Sequence, residues 1–563
     1  NSPARPPPTD MADWRDQVRG ELDALTRRQT ARALWRRHPS AWVDPSPGGT
    51  PAGDATGWLD LPQHMAEFAV ELPGFADKVR ADGYTDVVLL GMGGSSLGPL
   101  VLGRVFGTAP GYLTLHVLDS TVPGQIAAVR DRVDLRCTLF MVSSKSGTTI
   151  ESLTLLDYFR GLLGSTGVEA PDAQFVAVTD PGTPLETLAH ERGFRRVFNA
   201  PVDVGGRFSV LSRFGLLPAA LIGVDLKKLL PPVVHMATAC RADADPLSNP
   251  GALVGATLGG PAKAGRDKIT IMTSPRLESF SLWVEQLIAE STGKNGRGLI
   301  PVVGESLFDA SEYGNDRNFV YVRLSGDDNA HLDAHADALQ AAGHPVTRLQ
   351  MNDTHELGAE FFRWEFAVAV AATSIAVYPF DQPDVESGKE FTRNLLSSPD
   401  GARGTPSVAH DSGDVVELIS KAQPGDYVAI IGYLPESPEV ENAVSELRAA
   451  ITRKMNIATT FGYGPRYLHS TGQLHKGGPD GVIVLALGAG NEEALAAPGA
   501  EIPGTSATGS GANYGFESLF EAQMLGDLKA LHSKGRRNTL TVLKTPYENA
   551  IRDLASSLNA APW

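Results

Sequence analysis

The sequence predicts an α/β protein built on parallel sheets. Short β-rich runs recur along the chain in three series, and amphipathic or small-residue helical stretches separate most of them. That alternation implies strands covered by helices on both faces. No short fixed-period repeat occurs, which argues against solenoids and propellers. The first series is Asp86–Leu90, Leu115–Leu118, Thr138–Val142 and Phe175–Val178. Lys268–Met272, Asn318–Leu324 and Val346–Met351 form the second. The third is Tyr427–Ile431, Val482–Leu487 and Leu540–Leu543.

Before the first series, Asn1–Asp10 is proline-rich and has no initiator Met, so it reads as a linker or cut edge of a longer polypeptide. Met11 to about Trp42 carries Trp14, Val18, Leu22, Leu25, Leu34 and Trp35 at helical spacing, the pattern of a core-facing helix. A Pro/Gly-rich break follows at Asp44–Gly57, and Ala494–Asn513 has the composition of a flexible loop. The expected division is 1–60 as linker and helical arm, 61–230 and 231–400 as two α/β domains, and 401–563 as an additional C-terminal α/β region.

Of 563 residues, 42% are hydrophobic and 20% charged, which provides core material and excludes a wholly disordered chain. Forty-nine Lys+Arg against 65 Asp+Glu give a net charge of −16. Such a field repels nucleic acid and anionic membranes, and an anionic small substrate would need a local positive site. Two cysteines, Cys137 and Cys240, exclude a disulfide scaffold and a cysteine-built zinc site. No apolar run reaches the ~18–20 residues of a membrane span. With no signal-peptide pattern either, a soluble cytoplasmic protein is expected.

Two loops carry chemistry. Val87–Leu90 runs into Gly91-Met92-Gly93-Gly94-Ser95-Ser96 and then a helix. Glycines permit close backbone approach, and a helix N-terminus offers free N–H donors. Gly94 and Ser95 thus suit a phosphate or sugar hydroxyl, although a plain strand-to-helix turn has the same outline. The dinucleotide fingerprint is absent, because Ser96 stands where its third glycine would be. The second loop is Ser143-Ser144-Lys145-Ser146-Gly147-Thr148-Thr149 before a helix at Ile150–Leu163. Ser144, Lys145, Ser146, Thr148 and Thr149 supply more donors than the single hydroxyl a helix cap requires, which points to a monophosphate cradle. Nucleotide P-loop spacing is absent, so ATP is not implied.

These loops resemble the sugar isomerase (SIS) domain of phosphosugar proteins. Val204-Gly205-Gly206-Arg207-Phe208-Ser209, Glu290-Ser291-Thr292-Gly293-Lys294 and Phe380-Asp381-Gln382-Pro383-Asp384-Val385-Glu386-Ser387-Gly388-Lys389 narrow the resemblance to the phosphoglucose isomerase family. The five segments stand in family order over about 300 residues. The resemblance implies two SIS-type parallel-sheet domains, a hexose 6-phosphate substrate, no cofactor or metal, and a homodimer. It implies glucose 6-phosphate and fructose 6-phosphate as the reactants. A non-catalytic phosphosugar regulator and an isomerase of another hexose 6-phosphate, such as mannose 6-phosphate, remain the alternatives.

Aldose–ketose isomerisation moves a proton between adjacent carbons and needs a carboxylate base, for which Glu290 fits at the end of the apolar stretch Leu282–Ala289. Arg207, between glycine and aromatic, is the candidate cation for the developing enediolate. Lys389 is assigned acid–base work on the ring oxygen and Gln382 substrate positioning. The family's ring-opening histidine lies between its Glu and its Lys, yet His331, His335, His344 and His355 stand in contexts that do not match. The matching form occurs later, as His469-Ser470-Thr471-Gly472-Gln473-Leu474 ahead of Gly478-Pro479. His469 is therefore nominated, with His475 as the fallback. This relocation resembles the isomerase half of transaldolase–phosphoglucose isomerase fusions, so the full-length protein is expected to carry a transaldolase half upstream, absent from this chain.

Overall fold

The computed structural model describes residues 13–562 apart from 39–40, 48, 50, 52–53, 397–411 and 490–514. The proline-rich opening and the whole of the expected 494–513 loop lie outside the described residues. Three separate sheets form, and every strand ladder among the described residues is parallel. The first contains β1 (Asp86–Gly91), β2 (Thr114–Leu118), β3 (Thr138–Ser143), β4 (Phe175–Thr179) and β5 (Arg196–Asn199), in the order β2-β1-β3-β4-β5. The second contains β6 (Lys268–Thr273), β7 (Ile300–Val302), β8 (Arg317–Leu324) and β9 (Val346–Met351), ordered β7-β6-β8-β9. The third contains β10 (Tyr427–Tyr433), β11 (Ala458–Tyr463), β12 (Val482–Ala489) and β13 (Arg537–Leu543), ordered β11-β10-β12-β13.

The three orders share one logic. The first strand of each sheet lies between the second and the third, so the chain leaves it in opposite directions and opens a crevice at the carboxyl ends. In the first sheet Gly91 at the end of β1 is in register with Ser143 at the end of β3. The glycine loop and the hydroxyl loop are therefore neighbours by topology. Central strands β3 and β10 are buried along their whole length, because helices cover both faces.

Strands β5, β7 and β11 are additions to the sequence expectation. The N-terminal stretch is two helices, Trp14–Arg28 and Thr30–Trp35, broken at Gln29, whose φ of 51° is left-handed. Leu22, Leu25 and Leu34 of the apolar stripe are buried, as expected.

The first and second sheets share one core: Leu89 and Met141 join the same cluster as Ile271 and Val320, with Trp283, Phe361 and Trp364 between them. The third sheet has its own core on one face, around Val428, Ile430 and Leu485. Its other face, with Tyr427, Ile431 and Val484, closes over Ala289, Ile300 and Val302 of the second sheet's layer. At that joint Leu474 packs against Gly293, where a Cβ would lie 2.4 Å from the Leu474 Cα. Backbone meets backbone here, and only glycine fits. Gly293→Ala is expected to lower stability by about 1–3 kcal/mol, as overpacking does, measured by denaturant unfolding. An unchanged midpoint would show that the joint yields without strain.

Candidate active site

The hydroxyl loop caps the helix Ile150–Ser165 without behaving as a cap. Thr149 stands at the N-cap position, yet its side chain makes no capping bond and instead lies 2.9 Å from Ser144 Oγ. Ser146 Oγ and Thr148 Oγ1 are 3.0 Å apart. The hydroxyls thus pair with one another beside a helix N-terminus that has no side-chain cap, an arrangement suited to an anion. Ser143 Oγ donates to the Ser95 carbonyl at 3.2 Å and ties this loop to the glycine loop. Lys145 is less free than its sequence position suggests. Its ammonium pairs with Asp180 and donates to the Val202 carbonyl at 3.1 Å.

Glycines bring the other segments in. A Cβ at Gly94 would lie 2.1 Å from the Gly206 carbonyl oxygen, and one at Gly93, whose φ is 56°, would lie 2.6 Å from the His469 carbonyl. The glycine loop therefore touches both the Arg207 segment and the C-terminal histidine segment.

Arg207 is buried, and its guanidinium makes four hydrogen bonds and one ion pair. Nε donates to Ser291 Oγ at 2.8 Å and Nη1 to Gln382 Oε1 at 3.0 Å, while Nη1 forms an ion pair with Glu290 Oε1 at 3.1 Å. Nη2 donates to the carbonyls of Pro379 at 2.5 Å and Asp381 at 3.1 Å. Sequence reasoning gives Arg207 to the reaction's developing charge; its geometry is that of a group holding Glu290 and the 379–382 turn in place.

Glu290 lies in the last turn of the helix Phe280–Thr292. Its other oxygen, Oε2, accepts from Gln286 Nε2 at 3.0 Å, and the same amide nitrogen donates to the His469 carbonyl at 2.8 Å. The neighbouring Lys294 is fully buried, donates to Asp381 Oδ1 at 2.9 Å, and is pulled down to about 8 by burial and by the Arg207 charge.

His469 ends the 3₁₀ turn Arg466–His469. Its Nε2 lies 2.9 Å from Glu151 Oε1, which also accepts from Gln523 Nε2 at 2.7 Å. Burial pushes the Glu151 carboxyl up, but the nearby charges of His469 and Lys389 outweigh it and hold it below its ordinary value. An ionised carboxylate only accepts, so Nε2 carries the hydrogen of this contact. Lys389 pairs with Glu386 at 2.8 Å and is half exposed at the rim. Gln473, four residues beyond His469, donates to the Gly293 carbonyl at 2.9 Å and to Asp384 at 2.7 Å.

The fallback His475 is elsewhere. It is buried against Tyr427, 3.1 Å from the phenol, and burial together with the Lys476 and Arg536 charges pushes it down to about 3. Of the others, His335 lies near Tyr313, His344 bonds the Ala310 carbonyl, His355 pairs with Asp353, and His331 is exposed.

Sequence reasoning missed Glu151, Gln286 and Gln523. Gln286 sits four residues before Glu290 on the same helix face, a spacing that could have revealed it. Glu151 reads locally as a first-turn acid favoured by the helix dipole, and only tertiary contact shows its burial.

The phosphoglucose isomerase family model matches residues 61–297. A glucose-6-phosphate isomerase of Rubrobacter xylanophilus is 31% identical over 402 residues, covering 62% of this chain and 91% of the relative. The chain belongs to the phosphoglucose isomerase family. A glucose-6-phosphate isomerase of Prochlorococcus marinus is also 31% identical, over 56% of this chain and 66% of its own length. The crystal structure of a glucose-6-phosphate isomerase from Chlamydia trachomatis superposes with a TM-score of 0.56 at 21% identity, covering 69% of this chain and 87% of that one. This phosphoglucose isomerase family member thus has the α/β fold of SIS-domain proteins. Among the described residues no helix is long and apolar enough to cross a membrane.

The state of His475 gives a pH test. Between its ordinary value of 6.5 and its folded value of about 3, the unfolded chain binds a proton that the folded chain refuses. Stability therefore falls as pH drops through that window. In His475→Gln the proton uptake on unfolding should be smaller by about one across it, read from the pH dependence of the unfolding free energy. An unaltered slope would mean that His475 is not held neutral.

Proposed function

We propose that this chain interconverts D-glucose 6-phosphate and D-fructose 6-phosphate through an enediol. The observation that carries the reading is the convergence of Glu290, oriented between Arg207 and Gln286, with His469, hooked to Glu151 on the helix that follows the hydroxyl loop. The names of the Rubrobacter and Prochlorococcus relatives support it.

In this reading the hydroxyls of Ser95, Ser144, Ser146, Thr148 and Thr149 bind the phosphate, with Lys145 and the helix end contributing positive potential. Gly94 lets the backbone approach the substrate. A proton passes to the ring oxygen as the C1–O5 bond breaks, and the O1 hydroxyl gives one up; His469 and Lys389 handle this exchange. Glu290 then takes the proton from C2, the C1 carbonyl becomes an enediol hydroxyl, and the proton is returned to C1 as the carbonyl forms at C2. Electrons move only within the sugar, so no redox partner is required. Arg207 keeps the Glu290 carboxylate facing the substrate, and Gln382, fixed by Arg207, lines the same wall. A phosphosugar sensor needs the hydroxyl loop but has no use for the oriented carboxylate. From the resemblance we also propose a homodimer, a cytoplasmic location and an upstream transaldolase half in the full-length protein.

Glu290→Gln keeps the shape and removes the base. Turnover is expected to fall at least ~10²–10⁴-fold with little change in sugar phosphate binding; near-normal turnover in a coupled assay would reject the assignment. Ser144→Ala with Thr149→Ala is expected to raise KM far more than it lowers kcat, because contacts to a remote phosphate bind ground and transition states alike. Unchanged affinity for an inert sugar phosphate would reduce the loop to a helix end.

A further inference from the structure

We infer that Arg466 and Asp119 form a clamp that presents His469 to the site, with Arg466 acting as a positioning residue; this rests on the isomerase reading above. In a 3₁₀ turn side chains at i and i+3 eclipse, so Arg466 and His469, at the two ends of the turn Arg466–His469, point the same way. Both reach the first sheet. His469 meets Glu151 on the helix after β3, while Arg466 meets Asp119, the residue after β2. Arg466 Nε donates to Asp119 Oδ2 at 2.8 Å and Nη2 to Oδ1 at 2.7 Å, a two-point contact that fixes direction as well as distance.

The anchor is itself held. Asp119 is buried, and its Oδ2 also accepts from Ser96 Oγ at 3.1 Å, at the start of the helix that follows the glycine loop. On the other side Arg466 pairs with Glu436 at 2.8 Å, next to β10. Between the two eclipsed side chains, Tyr467 is buried in the third sheet's core. The turn therefore presents one face to its own sheet and the other to the first sheet. The histidine of this chain arrives on the third sheet, so its placement against Glu151 depends on a bridge between sheets. Arg466 is that bridge one turn away, and a point charge of lysine cannot reproduce its fork.

The test uses Arg466→Met, Arg466→Lys and His469→Ala in the full chain. Arg466→Met should lower kcat on cyclic sugar phosphate ~10–100-fold with KM within ~2-fold, and should spare C2 proton exchange in a 4,5-dideoxy hexose 6-phosphate, which has no hydroxyl to close a furanose or pyranose. Arg466→Lys should recover part of the loss. Because the clamp acts through His469, adding Arg466→Met to His469→Ala should lower kcat no further. Multiplying losses, or equal loss of ring-opening and proton exchange, would overturn the clamp. The ¹⁵N shifts of the His469 ring, followed in the parent and in Arg466→Met, give a readout independent of turnover. If the parent is inactive on both hexose phosphates, the isomerase reading falls, while a ring signal that loses its single tautomer in Arg466→Met still supports the clamp. An unmoved signal refutes it, including where Arg466→Met folds poorly and Arg466→Lys is measured instead.

Discussion

Arg207 carries its charge where water does not reach, with its side chain about 3% exposed, so the protein itself must answer five donors and one positive charge. The answers come from two different places in the sequence. Ser291 and Glu290 belong to the end of the helix Phe280–Thr292, and Pro379, Asp381 and Gln382 to the turn that precedes Lys389. Its own backbone neighbour, Gly206, sits against Gly94 of the glycine loop. One guanidinium therefore fixes the relative positions of the first sheet's loop, the second sheet's helix and the approach to Lys389. Removing any one acceptor leaves a buried donor unsatisfied, so the set stands or falls together.

The histidine is supplied by a different kind of constraint. The third sheet closes over the second through apolar contact, Leu474 against Gly293, and this brings the 466–475 segment to the mouth of the first sheet's crevice. Apolar contact sets the distance but not the orientation of an imidazole. Orientation comes from polar bonds at three levels: Gln286 on the His469 carbonyl, Glu151 on the ring, and Gln473 on Gly293 and Asp384. Gln473 stands in the histidine segment of the sequence and Gln286 one turn before Glu290, whereas only tertiary contact shows the burial of Glu151. The proposed relocation of the histidine along the chain is compatible with such a site, because the contacts are made in space by side chains from three sheets.

What could be read from the sequence follows from how local each signal is. Strands such as Asp86–Gly91 and Tyr427–Tyr433 are continuous apolar runs because both their faces are covered, and they were legible. β7 spans three residues with Pro301 at its middle, β5 is four residues with polar ends, and β11 is Ala-Thr-Thr-Phe-Gly-Tyr; each is held by its neighbour strand rather than by its own composition. In the site, motif residues were legible and their partners were not. Lys145 looked like a free cation for phosphate, yet Asp180, 35 residues on, already pairs with it. Glu151 stands in the first turn of its helix, where the dipole alone would favour an acid, yet it is buried beneath His469 and Gln523.

The buried charges near Glu290 cancel. Arg207 faces Glu290 and Lys294 faces Asp381, two cations against two carboxylates. The balance is close enough that Lys294, even with Asp381 beside it, is held down to about 8 by burial and by the Arg207 charge. A dianionic sugar phosphate would therefore meet no surplus positive charge at the reacting carbons. Lys145 is shared with Asp180 as well, so phosphate affinity in the proposed reaction must come chiefly from the paired hydroxyls and the N-terminus of Ile150–Ser165. Such contacts bind at a distance from the chemistry and leave the local field around Glu290 set by the protein alone. In the proposed reaction binding and proton transfer are separated in space, and the acidic surface of a chain with net charge −16 does not need to be overcome by a cluster of cations at the reacting carbons.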